Sequence, residues 1–161
     1  MIFMILGGVV EFDFSRILKI VDELVAEGVI ESGSVIAQRG YSKYIPQNYQ
    51  SFDFVDGGTF DKYIQDADII ITHGGVASLI SAMKMHKKVI AFPRLKKYKE
   101  HLDDHQTEIT SVLSRDGYIM YATDKEILKE CILKAESFKP KEFISDNSLM
   151  ENLIVDFIDN N

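Results

Sequence analysis

Two adjacent glycines follow a short apolar run near the middle of the chain, in the order Thr72-His73-Gly74-Gly75. From Val76 onward the apolar residues have helical spacing, so the turn is predicted to lead directly into the N-terminus of a helix. Glycines let a backbone approach a ligand closely, and the free N–H groups and positive dipole end of a helix favour a phosphate or diphosphate. Together with Ser78 in the first helical turn, this segment is a candidate anion-binding site.

A plain structural interpretation of the same loop is equally open. A tight turn between a strand and a helix needs glycines for its shape alone, and Ser78 can simply face solvent. The loop has neither the GxxxxGK[ST] pattern of P-loop proteins nor the GxGxxG fingerprint of dinucleotide-binding proteins. The absence of both patterns disfavours a P-loop kinase and a nicotinamide-dependent dehydrogenase, and we predict no cofactor.

A second polar group follows the next apolar run and consists of Arg94 and the segment His101-Leu102-Asp103-Asp104-His105-Gln106. Carboxylates and amides of this kind can bind the hydroxyl groups of a ribose or a sugar, which is the role expected of Asp103, Asp104 and Gln106. The cationic side chains of Arg94 and His105 can oppose phosphate charge. The second group is therefore a candidate for the sugar side of a nucleotide-sugar site.

This second group allows two other interpretations. His101, Asp103, Asp104 and His105 are all possible metal ligands, but their spacing matches no metal motif and no cluster elsewhere completes it, so no metal site is predicted. The simpler alternative is a charged first turn of a helix, in which the two aspartates complement the helix dipole.

Apolar runs of strand length alternate with amphipathic segments of helix length, which predicts repeated βα units on a parallel sheet. Strands are predicted over residues 1–6, 34–38, 52–55, 68–72, 88–92 and 118–121. Helices are predicted over residues 15–27, 60–67, 76–85, 104–114, 124–136 and, more weakly patterned, 149–158. Continuous apolar strands are typical of a sheet covered on both faces, so the predicted fold class is α/β, with a doubly wound, Rossmann-like, mainly parallel sheet. Ligands of such folds bind beyond the carboxyl ends of the strands, where both polar groups follow.

Composition limits the function classes further. The 161 residues fit one domain, predicted over 1–137, with a tail over 138–161 that either packs on the domain or docks a partner. The net charge of −7 argues against a nucleic-acid binder. No apolar run approaches the roughly 20 residues that cross a bilayer. A single cysteine, Cys131, cannot form an internal disulfide, which favours a reducing, cytoplasmic compartment.

Taken together, the two polar groups resemble the C-terminal, donor-binding domain of family 28 glycosyltransferases. The resemblance is carried by residues 68–78, 87–94 and 100–106, extends through 39–46, and covers residues 1–137. Within that family the chain is most similar to the small subunit of two-component bacterial exopolysaccharide glycosyltransferases. It is also similar to the eukaryotic subunit that adds the second N-acetylglucosamine to dolichol diphosphate. The resemblance implies one half of a GT-B fold.

The resemblance also implies a division of labour between two proteins. This half binds a nucleotide-sugar, usually a UDP-sugar, and a membrane-anchored subunit supplies the lipid-linked acceptor site and largely the catalytic base, so no catalytic residue is assigned here. The implied reaction moves the sugar to a polyprenyl-diphosphate-linked acceptor in exopolysaccharide or capsule synthesis. A cytoplasmic chain would be recruited to the inner face of the membrane by its partner. The resemblance places Gly74, Gly75 and Ser78 near the diphosphate and Asp104, His105 and Gln106 near the sugar or ribose.

The chain departs from the family pattern at several positions, and the departures keep other functions open. Gly7-Gly8, a candidate contact of the phosphates, stands where relatives usually carry Gly-Thr, and Ala77 stands where many have glycine. Ser81 replaces an acidic residue expected to hold the ribose, and His86 replaces a glycine at a helix end. A non-catalytic accessory subunit that stabilises or enhances a membrane-associated partner is therefore the alternative function. A nucleotide-binding hydrolase or epimerase with His105 as its base is a third.

Overall fold

Six strands and five helices alternate along the computed structural model, which describes residues 1–8 and 10–144. The strands are β1 (Ile2–Ile5), β2 (Val35–Gln38), β3 (Gln50–Phe52), β4 (Ile69–Thr72), β5 (Lys88–Ala91) and β6 (Met120–Tyr121). The helices are α1 (Ser15–Ala26), α2 (Gly57–Asp66), α3 (Val76–Lys84), α4 (His105–Arg115) and α5 (Lys125–Lys134), with single 3-10 turns at Ser32–Ser34 and Lys96–Tyr98. The helix predicted over 149–158 lies outside the described residues.

All five strand pairs are parallel, and the strand order is β3-β2-β1-β4-β5-β6. The predicted α/β fold class, with a doubly wound parallel sheet, is confirmed. The strand order reverses between β1 and β4, so the loops that follow these two strands diverge to opposite faces of the sheet. In doubly wound folds this switch point, at the carboxyl ends of the strands, is where ligands bind.

Helices cover both faces of the sheet, which explains the continuous apolar strands. Met4 of β1 belongs to a core formed with α1 and α5, whereas its neighbours Phe3 and Ile5 belong to a second core formed with α2, α3 and α4. Successive residues of a strand point to opposite faces, so a strand between two helical layers must be apolar at every position. The ring of Phe3 packs against those of Phe60 and Tyr63, with centroids 5.7 and 5.3 Å apart.

Two predicted elements, β3 and α2, have one end displaced by about three residues, and the other ends differ by at most two. The third strand occupies Gln50–Phe52 rather than 52–55, and Phe54 lies beyond it with 48% of its surface exposed. Phe54 packs edge-on against Tyr41, with 5.1 Å between the ring centroids. Its aromatic ring therefore makes a contact between two loops and is not part of a strand. The residue types over 52–55 do not reveal whether this segment forms a strand or a loop.

The second helix begins at Gly57 and not at residue 60. Asp56 caps it by accepting a hydrogen bond from the backbone N–H of Thr59 at 3.1 Å. Two glycines are poor helix formers, but the cap satisfies a backbone donor of the first turn and offsets part of their low propensity. At α5 the capping residue was predicted as residue 123 or 124, and Asp124 fills that role by accepting from the N–H of Ile127 at 3.0 Å.

The described part of the predicted tail packs on the domain. Phe143 is buried and meets the ring of Tyr118 edge-on, with centroids 6.0 Å apart. The backbone N–H of Lys141 donates to the carbonyl of Gly117 at 2.9 Å. The division of the chain at residue 137 stays a prediction. Within residues 1–8 and 10–144 the helices are all too short or too polar to cross a bilayer.

His86 offers a test of backbone strain at the end of α3. Its φ is 55°, in the left-handed region, which costs a residue other than glycine about 1–2 kcal/mol. This is the position where the family resemblance leads us to expect glycine, and such a residue commonly ends a helix. We therefore expect His86→Gly to raise the free energy of unfolding by about 1 kcal/mol in urea titrations. His86→Ala is the matched control, because it removes the imidazole but keeps the strained backbone, and it should give no gain.

Candidate functional site

The turn after β4 lies at the switch point and leads into the N-terminus of α3, as the sequence predicts. Gly75 is the residue that precedes the helix, and no side chain caps the helix there. The first turn of α3 contains no acidic residue, and Val76 and Ala77 are exposed while Ser78 is half-buried. The first backbone N–H groups of α3 are thus open toward the carboxyl edge of the sheet, where their partial positive charge favours an anion.

The glycines around this turn are required by the imidazole of His73. A Cβ atom added to Gly7 would lie 2.8 Å from Cε1 of His73, and one added to Gly75 would overlap with Nε2 of the same ring. Gly7 also has a φ of 73°, which favours glycine. The ring therefore fills the space between the loop after β1 and the start of α3, and Gly7 and Gly75 are explained by this packing before any ligand is considered.

His73 is uncharged near neutral pH. Burial, and after it the nearby charge of Arg94, lower the pKa of its imidazole to about 4, although a contact of Nδ1 with the carbonyl of Ile5, at 3.4 Å, partly opposes this. A neutral imidazole adds no charge to the site. Any attraction for an anion must come from the helix N-terminus and from other cations.

Arg94 lies beneath the site rather than in it. The side chain is 2% exposed, its Nη2 donates to the carbonyl of Leu6 at 2.6 Å, and the guanidinium lies 5.3 Å from the ring centroid of Phe14. Its Nε is also buried, with no hydrogen-bond partner among residues 1–8 and 10–144. In this conformation Arg94 cannot contact a ligand directly, so its charge acts through the wall of the site. The sequence does not indicate that this arginine is buried.

Gln106 brings the two predicted groups together. Its Oε1 accepts hydrogen bonds from the backbone N–H groups of Gly74 and Arg94, both at 3.1 Å. A Cβ atom added to Gly74 would lie 2.5 Å from Cβ of Gln106, so only glycine allows this close approach. The loops after β4 and β5 are therefore joined through one side chain of α4.

The acidic residues before α4 mainly organise their own loop. Asp103 accepts from the N–H of His105 at 3.1 Å and lies 3.0 Å from Nδ1 of His101. Partial burial opposes ionisation of Asp103, but the N–H of His105 and the two neighbouring histidines hold its pKa below the usual range. Asp104 is exposed, and its Oδ1 accepts from the N–H of Lys96 at 2.8 Å. No three His, Cys, Asp or Glu side chains are grouped to hold a metal ion in the described part of the chain.

An ion pair that the sequence analysis missed anchors the loop after β5. Nε and Nη2 of Arg16 donate to the two carboxylate oxygens of Glu100, each at 2.8 Å, and Glu100 is 2% exposed. Two further N–H groups of this guanidinium, on Nη1 and Nη2, donate to the carbonyls of Thr123 and Pro93 at 3.0 and 3.1 Å. One carboxylate oxygen also accepts from the N–H of Leu95 at 3.0 Å. The only signal in the sequence is a lone glutamate at the end of a basic run.

The loops after β1, β2 and β3 meet at Gly7 and Gly8. Gly40 has a φ of 58°, and a Cβ atom there would overlap with the carbonyl of Gly7. A Cβ atom on Gly8 would lie 3.2 Å from the ring of Phe54 and 3.9 Å from that of Tyr41. The aromatic pair therefore leaves little room for the threonine expected beside Gly7 from the family resemblance.

One cavity lies far from all of these residues. It measures about 500 Å³ and is lined by residues of the segments 32–36 and 47–50, at the amino ends of β2 and β3. None of the predicted site residues contributes to it. It lies at the opposite edge of the sheet from the switch point.

Comparison with known proteins decides the family. The model of the glycosyltransferase family 28 C-terminal domain matches residues 2–158. The chain belongs to this family. The match extends past residue 137, where the resemblance was expected to end. Solved glycosyltransferases of the GT-B class share the fold of this family 28 domain, which confirms the predicted half of a GT-B fold.

Individual relatives agree with this family assignment. An uncharacterized glycosyltransferase of Methanosarcina mazei is 31% identical over 93 residues, which are 56% of this chain and 22% of the relative. The UDP-N-acetylglucosamine transferase subunit ALG13 of Candida albicans is 31% identical over 74 residues, which are 46% of this chain and 24% of the relative. The chain thus matches less than a quarter of the length of either. An NMR structure of ALG13 superposes with a TM-score of 0.61 at 20% identity, covering 96% of this chain and 94% of the other.

Loss of the buried carboxylate should destabilise this family 28 domain markedly. Glu100→Gln leaves the guanidinium of Arg16 without its ionic partner, and removing one member of a buried pair costs about 3 kcal/mol. We expect urea unfolding to report a loss of that order. Glu130→Gln is the matched control, because Glu130 pairs with Lys134 on the surface, where both side chains are mostly exposed. That variant should lose less than about 0.5 kcal/mol, and equal losses would contradict the anchoring role.

His73 should make the domain sensitive to acid. In the unfolded chain the imidazole takes up a proton near its ordinary pKa of 6.5, whereas in the folded chain it resists protonation down to about pH 4. Acidification through this window therefore favours the unfolded state, and stability is regained as the pH rises. We expect the unfolding free energy of the wild type to fall by about 2 to 3 kcal/mol more than that of His73→Gln between pH 7 and pH 4. Parallel pH profiles would show that burial of this ring is not coupled to folding.

Proposed function

We propose that this chain is the donor-binding half of a two-component glycosyltransferase, which moves a sugar from a UDP-sugar to a polyprenyl-diphosphate-linked acceptor. The observation that carries the proposal is the open N-terminus of α3 at the switch point of the sheet. It lies at the edge where doubly wound folds bind ligands, and it lacks a capping side chain that would compete with an anion.

The donor diphosphate would lie against the first turn of α3. The N–H groups that follow Gly75, together with the hydroxyl of Ser78, are the donors available there, and Gly7 and Gly8 lie across the switch point. The buried guanidinium of Arg94 adds positive potential from below without touching the ligand. Fixed N–H dipoles that already point at the departing diphosphate would stabilise the charge that develops on it during transfer.

The sugar and ribose would lie toward the start of α4. Asp104 and His105 flank that side, and the amide nitrogen of Gln106 keeps its two donors while its oxygen holds the loops. On α3, Ser81 is exposed and supplies a hydroxyl in place of a carboxylate. We expect a neutral hydroxyl to bind the ribose more weakly than a carboxylate would.

A second subunit would supply the acceptor site and the catalytic base. Support comes from the family resemblance and from the Candida albicans relative, which is itself a subunit of a UDP-N-acetylglucosamine transferase. We propose that this partner is anchored in the membrane, that it recruits the chain to the inner face, and that the product belongs to exopolysaccharide or capsule synthesis. The role of the present chain in transfer would be to hold the donor in position.

A charge placed at the first turn of α3 tests the diphosphate site. Ala77 is exposed and already carries a Cβ, so Ala77→Asp adds a carboxylate without a clash, and an acidic residue in a first turn favours the helix. We expect calorimetric titration to show UDP binding weakened about 100-fold or more, because the carboxylate repels the diphosphate. Ala77→Asn is the matched neutral control and should bind UDP within a few-fold of the wild type.

The outcomes separate the proposed functions. Equal UDP affinity of the two Ala77 variants would place the diphosphate elsewhere. If the wild type binds neither UDP nor any UDP-sugar, even together with its membrane partner, the donor-binding function is wrong. The accessory function instead requires that Ala77→Asp and His105→Ala leave the activity of the assembled complex unchanged.

A further inference from the structure

The side-chain oxygen of Gln106 has a role that a sugar contact does not explain. It accepts from one N–H group in each of two loops, at Gly74 after β4 and at Arg94 after β5. The two strands are already joined by the bond from the N–H of Phe92 to the carbonyl of Thr72 at 2.8 Å. Gln106 extends that connection past the end of the sheet, into the loops that form the site.

Both acceptor positions of the amide oxygen are therefore occupied by the protein itself. The oxygen cannot accept a hydroxyl from a ligand unless it releases one of the loops. Gly74 is buried and packs directly on the backbone and Cβ of Gln106. A buried N–H group that loses its acceptor is costly, so the loop would shift to find another partner.

A shift of Gly74 would also move the start of α3. Gly75 is the next residue and precedes the helix, and the carbonyl of Gly75 accepts the N–H of Leu79 at 3.1 Å. Since the imidazole of His73 lies against Gly75, the turn has little freedom to absorb a movement of Gly74 locally. The direction of the first N–H groups of α3 thus depends on the bond from Gly74 to Gln106.

We propose that Gln106 is a positioning residue for the donor diphosphate. It acts through Gly74, and it sets the direction of the α3 N-terminus independently of any contact between its amide nitrogen and the sugar. This inference rests on the proposed donor-binding function. It makes a prediction about UDP alone, a ligand that has no donor sugar to contact.

Three substitutions of Gln106 test the hydrogen bonds directly. Gln106→Met keeps the length of the side chain and removes the acceptor, whereas Gln106→Glu keeps an acceptor for both N–H groups. Hydrogen exchange followed by NMR should show faster exchange of the Gly74 and Arg94 amides in Gln106→Met and protection near the wild-type level in Gln106→Glu. The amide of Leu113, farther along α4, should be unaffected in both. Gln106→Asn, one methylene shorter, provides the same test if the methionine variant does not fold.

Titration with UDP tests the functional consequence. We expect the Gln106→Met variant to bind UDP about tenfold more weakly than the wild type, whereas a residue that contacts only the sugar would leave UDP affinity unchanged. Unchanged UDP affinity, or unchanged exchange of both amides, would overturn the positioning role while leaving the donor site in place. Failure of the wild type to bind UDP would instead overturn the donor-binding function on which the inference rests.

Discussion

The buried ion pair between Arg16 and Glu100 fixes where the loop after β5 runs, and the geometry of the site follows from that loop. Arg16 reaches from the first turn of α1 to the carboxylate and to the carbonyls on either side of it. A guanidinium that makes four hydrogen bonds, two of them charge-assisted bonds to one carboxylate, permits few other arrangements of the chain. The loop therefore fixes the position of the start of α4, so that Gln106 reaches Gly74. The ion pair between Arg16 and Glu100 thus determines the geometry of the loops that form the candidate site.

The proposed site would draw positive potential from a buried arginine and not from an exposed one. The chain is acidic overall, with a net charge of −7, and the imidazole nearest the turn is neutral. Two sources of positive potential are fixed by the fold, the backbone N–H groups at the start of α3 and the guanidinium of Arg94, and the guanidinium is buried. Charges in such surroundings act more strongly than exposed lysines, because the local dielectric is lower and salt screens them less. A site of this kind favours an anion without making the whole surface attractive to polyanions.

The fold could be predicted largely from the sequence because it depends on local signals. Strands such as Ile2–Ile5 are apolar at every position, and Asp124 caps α5 as short-range rules predict. The site could be predicted only as two separate groups. The pairing of Arg16 with Glu100 spans 84 positions, and no periodicity reveals such a contact. Likewise, the burial of Arg94 depends on how three loops fold over it, so a residue type that usually marks a surface lies inside.

Gly74 and Gly75 show why residue type alone does not decide whether the turn after β4 binds a ligand. Gly74 is required by the approach of α4, and Gly75 by the ring of His73, so both would be glycine in a domain of this shape even without a ligand. A preserved glycine pair is therefore weak support for donor binding. The packing also explains the missing side-chain cap, because Gly75 is the residue that would carry it, but the packing does not require the first turn of α3 to lack an acidic residue. An accessory domain with no anion to bind would be free to place an acidic residue in that turn, and such a charge would stabilise the helix by about 0.3 to 1 kcal/mol. The stronger support for donor binding is therefore the position of the open backbone N–H groups of α3, at the switch point of the sheet.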